Sequence, residues 1–181
     1  MLRQLFKNMQ AIKMNIQIRD EQDTDIQAIF DLTKAAFNDE EHSSHTEQFI
    51  VNALRATKQL TVSLVAETQG KIVGHIAFSP VSISDGTTDW YGLGPISVIP
   101  EYQRKGIGSE LMKEGLNRIK ALNAKGCVLL GDPNYYGKFG FKADANLILE
   151  GVPAEYFQIL AFTDHIPSGY VIYSDAFNVT S

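Results

Sequence analysis

Residues 90–119, WYGLGPISVIPEYQRKGIGSELMKEGLNRI, constrain the fold more tightly than any other stretch of the chain. A strand pattern interrupted by Gly94-Pro95 runs into a Pro-containing turn, then Gln103-Arg104-Lys105-Gly106-Ile107-Gly108. Residues 106–122 then read as a helix, with Ile107, Leu111, Leu116 and Ile119 at the apolar positions. After Gly126 comes CVLL, a short buried-strand pattern. Strand, helix and strand in one sheet must cross over in parallel, and right-handed. Pro inside a strand removes a ladder donor, so Gly94-Pro95 predicts a bulge or splay.

The turn between that strand and that helix has a chemistry of its own. A helix start carries unpaired backbone N–H groups and a partial positive charge, which makes it an anion site when a ligand can come close. Gly106 and Gly108 remove side chains that would block the approach. Arg104 and Lys105 add attraction, and Ser109 adds a hydroxyl. The arrangement suits a pyrophosphate. The chain lacks the G-x-x-x-x-G-K-[ST] of a P-loop and the third Gly of the dinucleotide fingerprint. Taken alone, the turn reads equally as a helix N-terminus whose glycines serve only turning and packing.

The rest of the chain supplies a frame for it. Residues 14–19 alternate as a strand, 20–37 read as an acid-led helix and 46–57 as a second helix with Phe49, Ile50, Ala53 and Leu54 inward. Residues 60–67 and 71–83 read as a hairpin turned at Gln69-Gly70. EYFQILAF and GYVIYSDAF read as the last two strands. No Pro/Ser-rich linker or internal repeat divides the pattern, so one α+β domain is expected over residues 14–181, with residues 1–13 as an N-terminal extension.

With these parts in order, VIPEYQRKGIGSELM closely resembles the coenzyme A signature of the GNAT N-acetyltransferase superfamily. IQIRDEQDTDIQAIFDLTKAAF resembles the family's opening strand and helix, LGPISV its bulged central strand, and Tyr136-Gly137-Lys138-Phe139-Gly140-Phe141 its Y-x-x-x-G-F segment. The later part is similar to a bacterial subgroup whose substrates are mostly unassigned. The resemblance implies a mixed, mostly antiparallel central sheet of about seven strands, flanked by helices and splayed at the bulged strand. It also implies an acetyl-CoA-dependent N-acetyltransferase that transfers directly in a ternary complex; a non-catalytic acyl-CoA-binding module is the alternative.

Residue by residue, the resemblance puts the pyrophosphate on Gln103, Arg104, Lys105, Gly106, Ile107, Gly108 and Ser109. It puts the pantetheine arm on the backbone of Ile96 and Val98, with Asn134 close by, and makes Tyr136 the general acid. The family's strand Glu falls near Gly92, which cannot serve as a base; Glu67, His75, Asp89 and Glu155 are the alternatives. The family's usual Asn is Leu129 here. No metal is implied. The acceptor would be a small-molecule or peptide amine, and family members are often homodimers.

Charge narrows the partners further. Net charge is −5, with twelve acids against four bases over residues 20–100 and six bases against three acids over residues 101–125. An acidic chain with one basic segment is a poor nucleic-acid binder but suits one small anion there. Asp39, Glu40, Glu41 and Glu47 lie where the family lines its acceptor site. His42 and His45 beside Glu41 read as polar loop residues. No apolar run reaches the roughly 20 residues that span a bilayer, so no membrane partner is expected. The single Cys127 forms no internal disulfide and fits a cytoplasmic setting.

Overall fold

The computed structural model describes residues 14–41 and 43–181; the expected extension at residues 1–13 and His42 lie outside them. Strand β1 (Gln17–Asp20) leads through a 3-10 turn, Asp23–Asp25, into helix α1 (Ile26–Phe37). The acid-led helix starts later than its sequence pattern suggests. Asp25 accepts the Gln22 N–H at 2.8 Å and two hydrogen bonds from the Arg19 guanidinium, which holds residues 22–25 outside the helix. Helix α2 (Glu47–Ala56) follows. It buries Gln48, Ile50, Val51 and Leu54, so its inward face is rotated from the expected one. Phe49 is only half-buried and packs edge-on against Phe30, ring centres 5.5 Å apart.

Strands β2 (Val62–Thr68) and β3 (Lys71–Pro80) form the expected hairpin. Gln69 and Gly70 both have positive φ, 50° and 73°, as a two-residue I′ turn requires. Then come β4 (Ser82–Ile83), β5 (Trp90–Val98), α3 (Ile107–Ala121), β6 (Gly126–Leu130) and the single turn α4 (Pro133–Tyr136). β7 (Leu147–Ile148), β8 (Phe157–Ala161) and β9 (Gly169–Ile172) complete the chain.

The main sheet has the order β1-β2-β3-β5-β6-β8 and is antiparallel except for β5 and β6, which α3 joins as a parallel crossover. Adjacent strand residues point to opposite faces. Leu64 therefore packs with Leu111, Met112 and Ile119 of α3, while Val65 packs with Ile29 of α1 and Val51 of α2. The main sheet has six strands rather than about seven. β9 instead joins β4 and β7 in a small second sheet. Side chains of the β4 turn hold it there: Ser84 Oγ accepts the Tyr170 N–H and Asp85 Oδ2 the Ser168 N–H, both at 2.9 Å.

The parallel crossover depends on one close approach. The buried Trp90 ring lies against Gly126, where a Cβ would sit closer to the indole than real Cβ atoms come. Trp90 and Gly126 are also register partners in the β5–β6 ladder. Gly126→Ala is expected to destabilise the protein by roughly 1–3 kcal/mol, the usual cost of overpacking a rigid contact. A denaturant midpoint unchanged from the parent would show that the ring moves aside freely.

Candidate functional site

The site is built where β5 parts from β6. The two strands pair only at Trp90, Tyr91 and Gly92 with Gly126, Cys127 and Val128. On the β3 side the register shifts between Ile76 and Phe78, opposite Leu93 to Ile96, so the bulge predicted at Gly94-Pro95 is present. The Ile99 N–H donates to Val73 O on β3 at 3.0 Å. Alternation then turns the backbone groups of Ile96 and Val98 toward the edge that β6 leaves open. One of these is already used: Gln103 Nε2 donates to Val98 O at 3.0 Å, tying the following turn to the end of β5.

That turn has the conformation of an anion cradle. Arg104 and Gly106 take left-handed backbone angles, φ 60° and 85°, just before the start of α3. Among the described residues, no backbone carbonyl accepts the N–H of any residue from 104 to 109. A Cβ on Gly106 would meet nothing within 4 Å, so the cradle is open at that point. Lys105 Nζ sits over the Tyr102 ring, 5.0 Å from its centre, which keeps a cation beside the turn. The Ile107 side chain is buried in the core, so only its backbone faces the turn.

Helix α4 closes the same cleft from the β6 side. Asp132 Oδ1 accepts the Asn134 N–H at 2.9 Å and caps the turn, which leaves the Asn134 side chain exposed. Tyr135 reaches across to α3: its hydroxyl is 3.1 Å from where a Gly108 Cβ would be. The Tyr136 ring packs against Gly131 and edge-on against Phe141, with ring centres 6.3 Å apart. Burial, with the nearby Tyr135 and Asp132 adding to it, pushes its phenol up to about 12, so it carries its proton near neutral pH. The structure thus sets α4 against the start of α3 through Tyr135 and Gly108, with Tyr136 the next residue along.

The four alternatives for a base are engaged elsewhere or lie on the surface. Glu67 is paired with Arg19 at 2.8 Å and Asp89 with Lys125 at 3.2 Å. Glu155 is exposed in the loop before β8. His75 is fully buried at one end of a polar chain that runs through Ser63 and Glu21 to Arg55 of α2. Arg55 donates to both Glu21 oxygens at 2.8 and 2.9 Å, and Ser63 Oγ also donates to Glu21. With its proton spent on Glu21, Ser63 accepts from His75 Nε2 at 2.7 Å. His75 Nδ1 is buried with no partner among the described residues.

Burial outweighs the pull of Glu21 and, helped by Arg55, lowers the His75 pKa from 6.5 to about 4. In that interval the unfolded chain holds a proton that the folded chain lacks. The stability at stake is whole above pH 6.5 and is lost as pH falls toward 4, by roughly 3 kcal/mol in all. Urea unfolding at pH 7 and pH 4.5 should show this loss, and His75→Gln should reduce it. Equal losses in parent and variant would place the sensitive group elsewhere.

The sequence pattern gives no sign of which residue fills the position near Gly92. The Tyr173 ring lies over Gly92, and a Cβ there would come within 2.5 Å of it. Tyr173 also lines a cavity of about 400 Å³ whose floor is Leu93, Gly94 and Pro95, where the strands part. Two hollows of similar size, about 440 Å³ beside β4 and about 420 Å³ behind β7, do not touch the open edge. Among the described residues, no group of three or more His, Cys, Asp or Glu is placed to hold a metal ion. No described helix is long and apolar enough to cross a membrane.

Comparison with known proteins agrees with this geometry. The family model for the acetyltransferase (GNAT) domain matches residues 17–143, most of the chain. The chain belongs to the GNAT acetyltransferase family. A GNAT acetyltransferase from Brucella melitensis, solved in complex with acetyl-CoA, superposes with a TM-score of 0.81 at 48% identity, over 91% of this chain and 99% of that one. The GNAT protein YhbS from Escherichia coli, solved in complex with CoA, superposes with a TM-score of 0.84 at 30% identity, over 93% of this chain and 94% of that one. In direct sequence alignment the chain is 36% identical over 104 residues to YhbS of Escherichia coli K12, named an uncharacterized N-acetyltransferase. That alignment spans 57% of this chain and 62% of the relative's length. In this chain Gly92 carries no side chain, and the Tyr173 ring packs against it.

Proposed function

We propose that this chain is an acetyl-CoA-dependent N-acetyltransferase that passes the acetyl group directly to an amine in a ternary complex. The observation that carries the reading is the run of unpartnered N–H groups over residues 104–109 beside the open edge of β5. Such a run takes a pyrophosphate, with Arg104 and Lys105 adding charge and Ser109 a hydroxyl. The backbone of Ile96 and Val98 pairs with the amides of a pantetheine arm, as an added strand does. Asn134, exposed on α4, is assigned to the same cofactor. The complexes of the Brucella relative with acetyl-CoA and of YhbS with CoA support the same cofactor.

The chemistry follows from the edge. The amine lone pair attacks the thioester carbonyl, and the oxyanion is held by backbone N–H at the bulge near Ile96. The C–N bond forms and the C–S bond breaks. The departing thiolate takes the Tyr136 proton, and the amine's surplus proton leaves through water. Direct transfer is supported by the state of Cys127. It is the chain's single cysteine, fully buried, and burial pushes its thiol well above the ordinary range. It is therefore not a ready acyl carrier. The acceptor is a small-molecule or peptide amine, nucleic acid is not a partner, and the setting is cytoplasmic.

The test is free-thiol release from acetyl-CoA with and without a broad panel of amines. Release that requires an amine supports the enzyme. The second reading, a non-catalytic acyl-CoA-binding module, is favoured by Gly92, which gives the strand no base. Thermal stabilisation by CoA with no release on any amine would establish that reading instead.

A further inference from the structure

The cavity over Leu93-Gly94-Pro95 lies on the sheet face covered by α1 and α2 and opens onto the point where β5 leaves β6. Its walls are apolar: Phe37, Ile50 and Phe177 line it, and Leu130 at the end of β6 stands 53% exposed at its mouth. Three lining side chains are polar. Glu150 is exposed. Glu47 and Tyr173 are not: Glu47 Oε2 and the Tyr173 hydroxyl are both buried with no partner among the described residues.

These two atoms need a ligand. Glu47 Oε1 already accepts from Ser43 Oγ at 2.7 Å, which fixes the carboxyl beside the cavity and leaves Oε2 without a donor among the described residues. A buried carboxylate oxygen without a donor is costly, and a charge-assisted hydrogen bond from an ammonium group removes that cost. The Tyr173 ring is held by Phe177, ring centres 4.9 Å apart, and by its contact with Gly92. Burial raises its phenol well above the ordinary range, so the hydroxyl stays neutral and offers a lone pair to an N–H. The walls set the rest of the ligand. A second amine or a set of hydroxyls set against Phe37, Ile50 and Phe177 would lose water and find no partner there; the other lining acid, Glu150, is exposed to solvent.

Resting on the reading of the chain as an amine acetyltransferase, we propose that its acceptor is a primary amine on a compact apolar body. The body, arylalkyl or branched alkyl, fills the cavity between α1, α2 and β5. The ammonium group meets Glu47 and the Tyr173 hydroxyl, next to the open edge. Polyamines, aminoglycosides and free amino acids fit poorly, because their additional charges or hydroxyls face Phe37, Ile50 and Phe177.

The test uses CoA-loaded protein titrated calorimetrically with 2-phenylethylamine, its neutral counterpart 2-phenylethanol, and spermidine. The same two amines are assayed for thiol release from acetyl-CoA. The phenylethylamine is expected to bind about tenfold or more tightly than spermidine. Glu47→Gln should weaken the amine about tenfold, leave 2-phenylethanol within about twofold and leave CoA affinity unchanged. The CoA titration doubles as the check that the variant is folded. Tighter binding or faster acetylation of spermidine overturns the apolar-amine assignment and leaves the enzyme standing. So does an unchanged amine affinity in Glu47→Gln, or no amine binding at all while other acceptors are acetylated. Binding in the expected order with no thiol released from acetyl-CoA on any amine overturns the enzyme reading instead.

Discussion

Gly106→Glu is expected to reduce coenzyme A affinity about 100-fold or more in a protein that still folds. The two halves of that expectation have separate physical grounds. Gly106 caps α3 at φ 85°, where a side chain costs about 1 kcal/mol. A Cβ there meets nothing within 4 Å, so no packing is lost. A carboxylate at a helix N-terminus returns about 0.3–1 kcal/mol through the dipole. The net change is small against a typical stability of about 5–15 kcal/mol. The ligand's loss is larger. The new carboxylate occupies the N–H groups that would hold the pyrophosphate and repels it. Calorimetric titration with CoA, alongside a thermal melt, separates the two effects. A folded variant with parental CoA affinity would end the assignment of this turn to the cofactor.

Tyr136→Phe is expected to lower the turnover rate about 100-fold or more while leaving CoA affinity within about twofold. The substitution keeps the ring, and the ring makes the packing contacts with Gly131 and Phe141. What it removes is a proton held on a phenol that burial raises to about 12 in the free protein. Such a phenol is a weaker acid than the thiol, so it keeps its proton until the C–S bond breaks beside it and takes one back from water afterwards. Loss of kcat with unchanged CoA binding is the signature of a group that acts in the transition state. Turnover near the parent's would mean that the thiolate is protonated by another group or leaves unaided. Tyr135 is the control for position, since its hydroxyl is directed to Gly108 rather than to the open edge.

Local features of this fold could be read from consecutive residues. The Pro-split strand, the cationic turn and the start of α3 are one uninterrupted stretch, and its spacing alone forces the parallel crossover. The hairpin at Gln69-Gly70 was legible for the same reason, because two residues carry the whole turn. Features assembled from distant parts were not. β4 and β7 have two residues each, too few to show a period, so the second sheet and the departure of β9 had no signal. The true inward face of α2 includes Gln48, which no apolar pattern selects. The cavity draws on α1, α2, β5, β6 and the C-terminal segment, and its walls are residues indistinguishable in sequence from ordinary core. Glu47 stood among the acids expected near the acceptor site, but Tyr173 did not. Gly92 is informative only once the ring that covers it is seen.

A crystal structure of the chain with coenzyme A bound is the most direct measurement. The pyrophosphate oxygens are expected on the N–H groups of residues 104–109, and the pantetheine amides on the backbone of Ile96 and Val98. The sulfur is expected within hydrogen-bond reach of Tyr136 Oη, directly or through one water. A pyrophosphate seated away from that turn, or a sulfur out of reach of Tyr136, would contradict the proposed acetyl transfer.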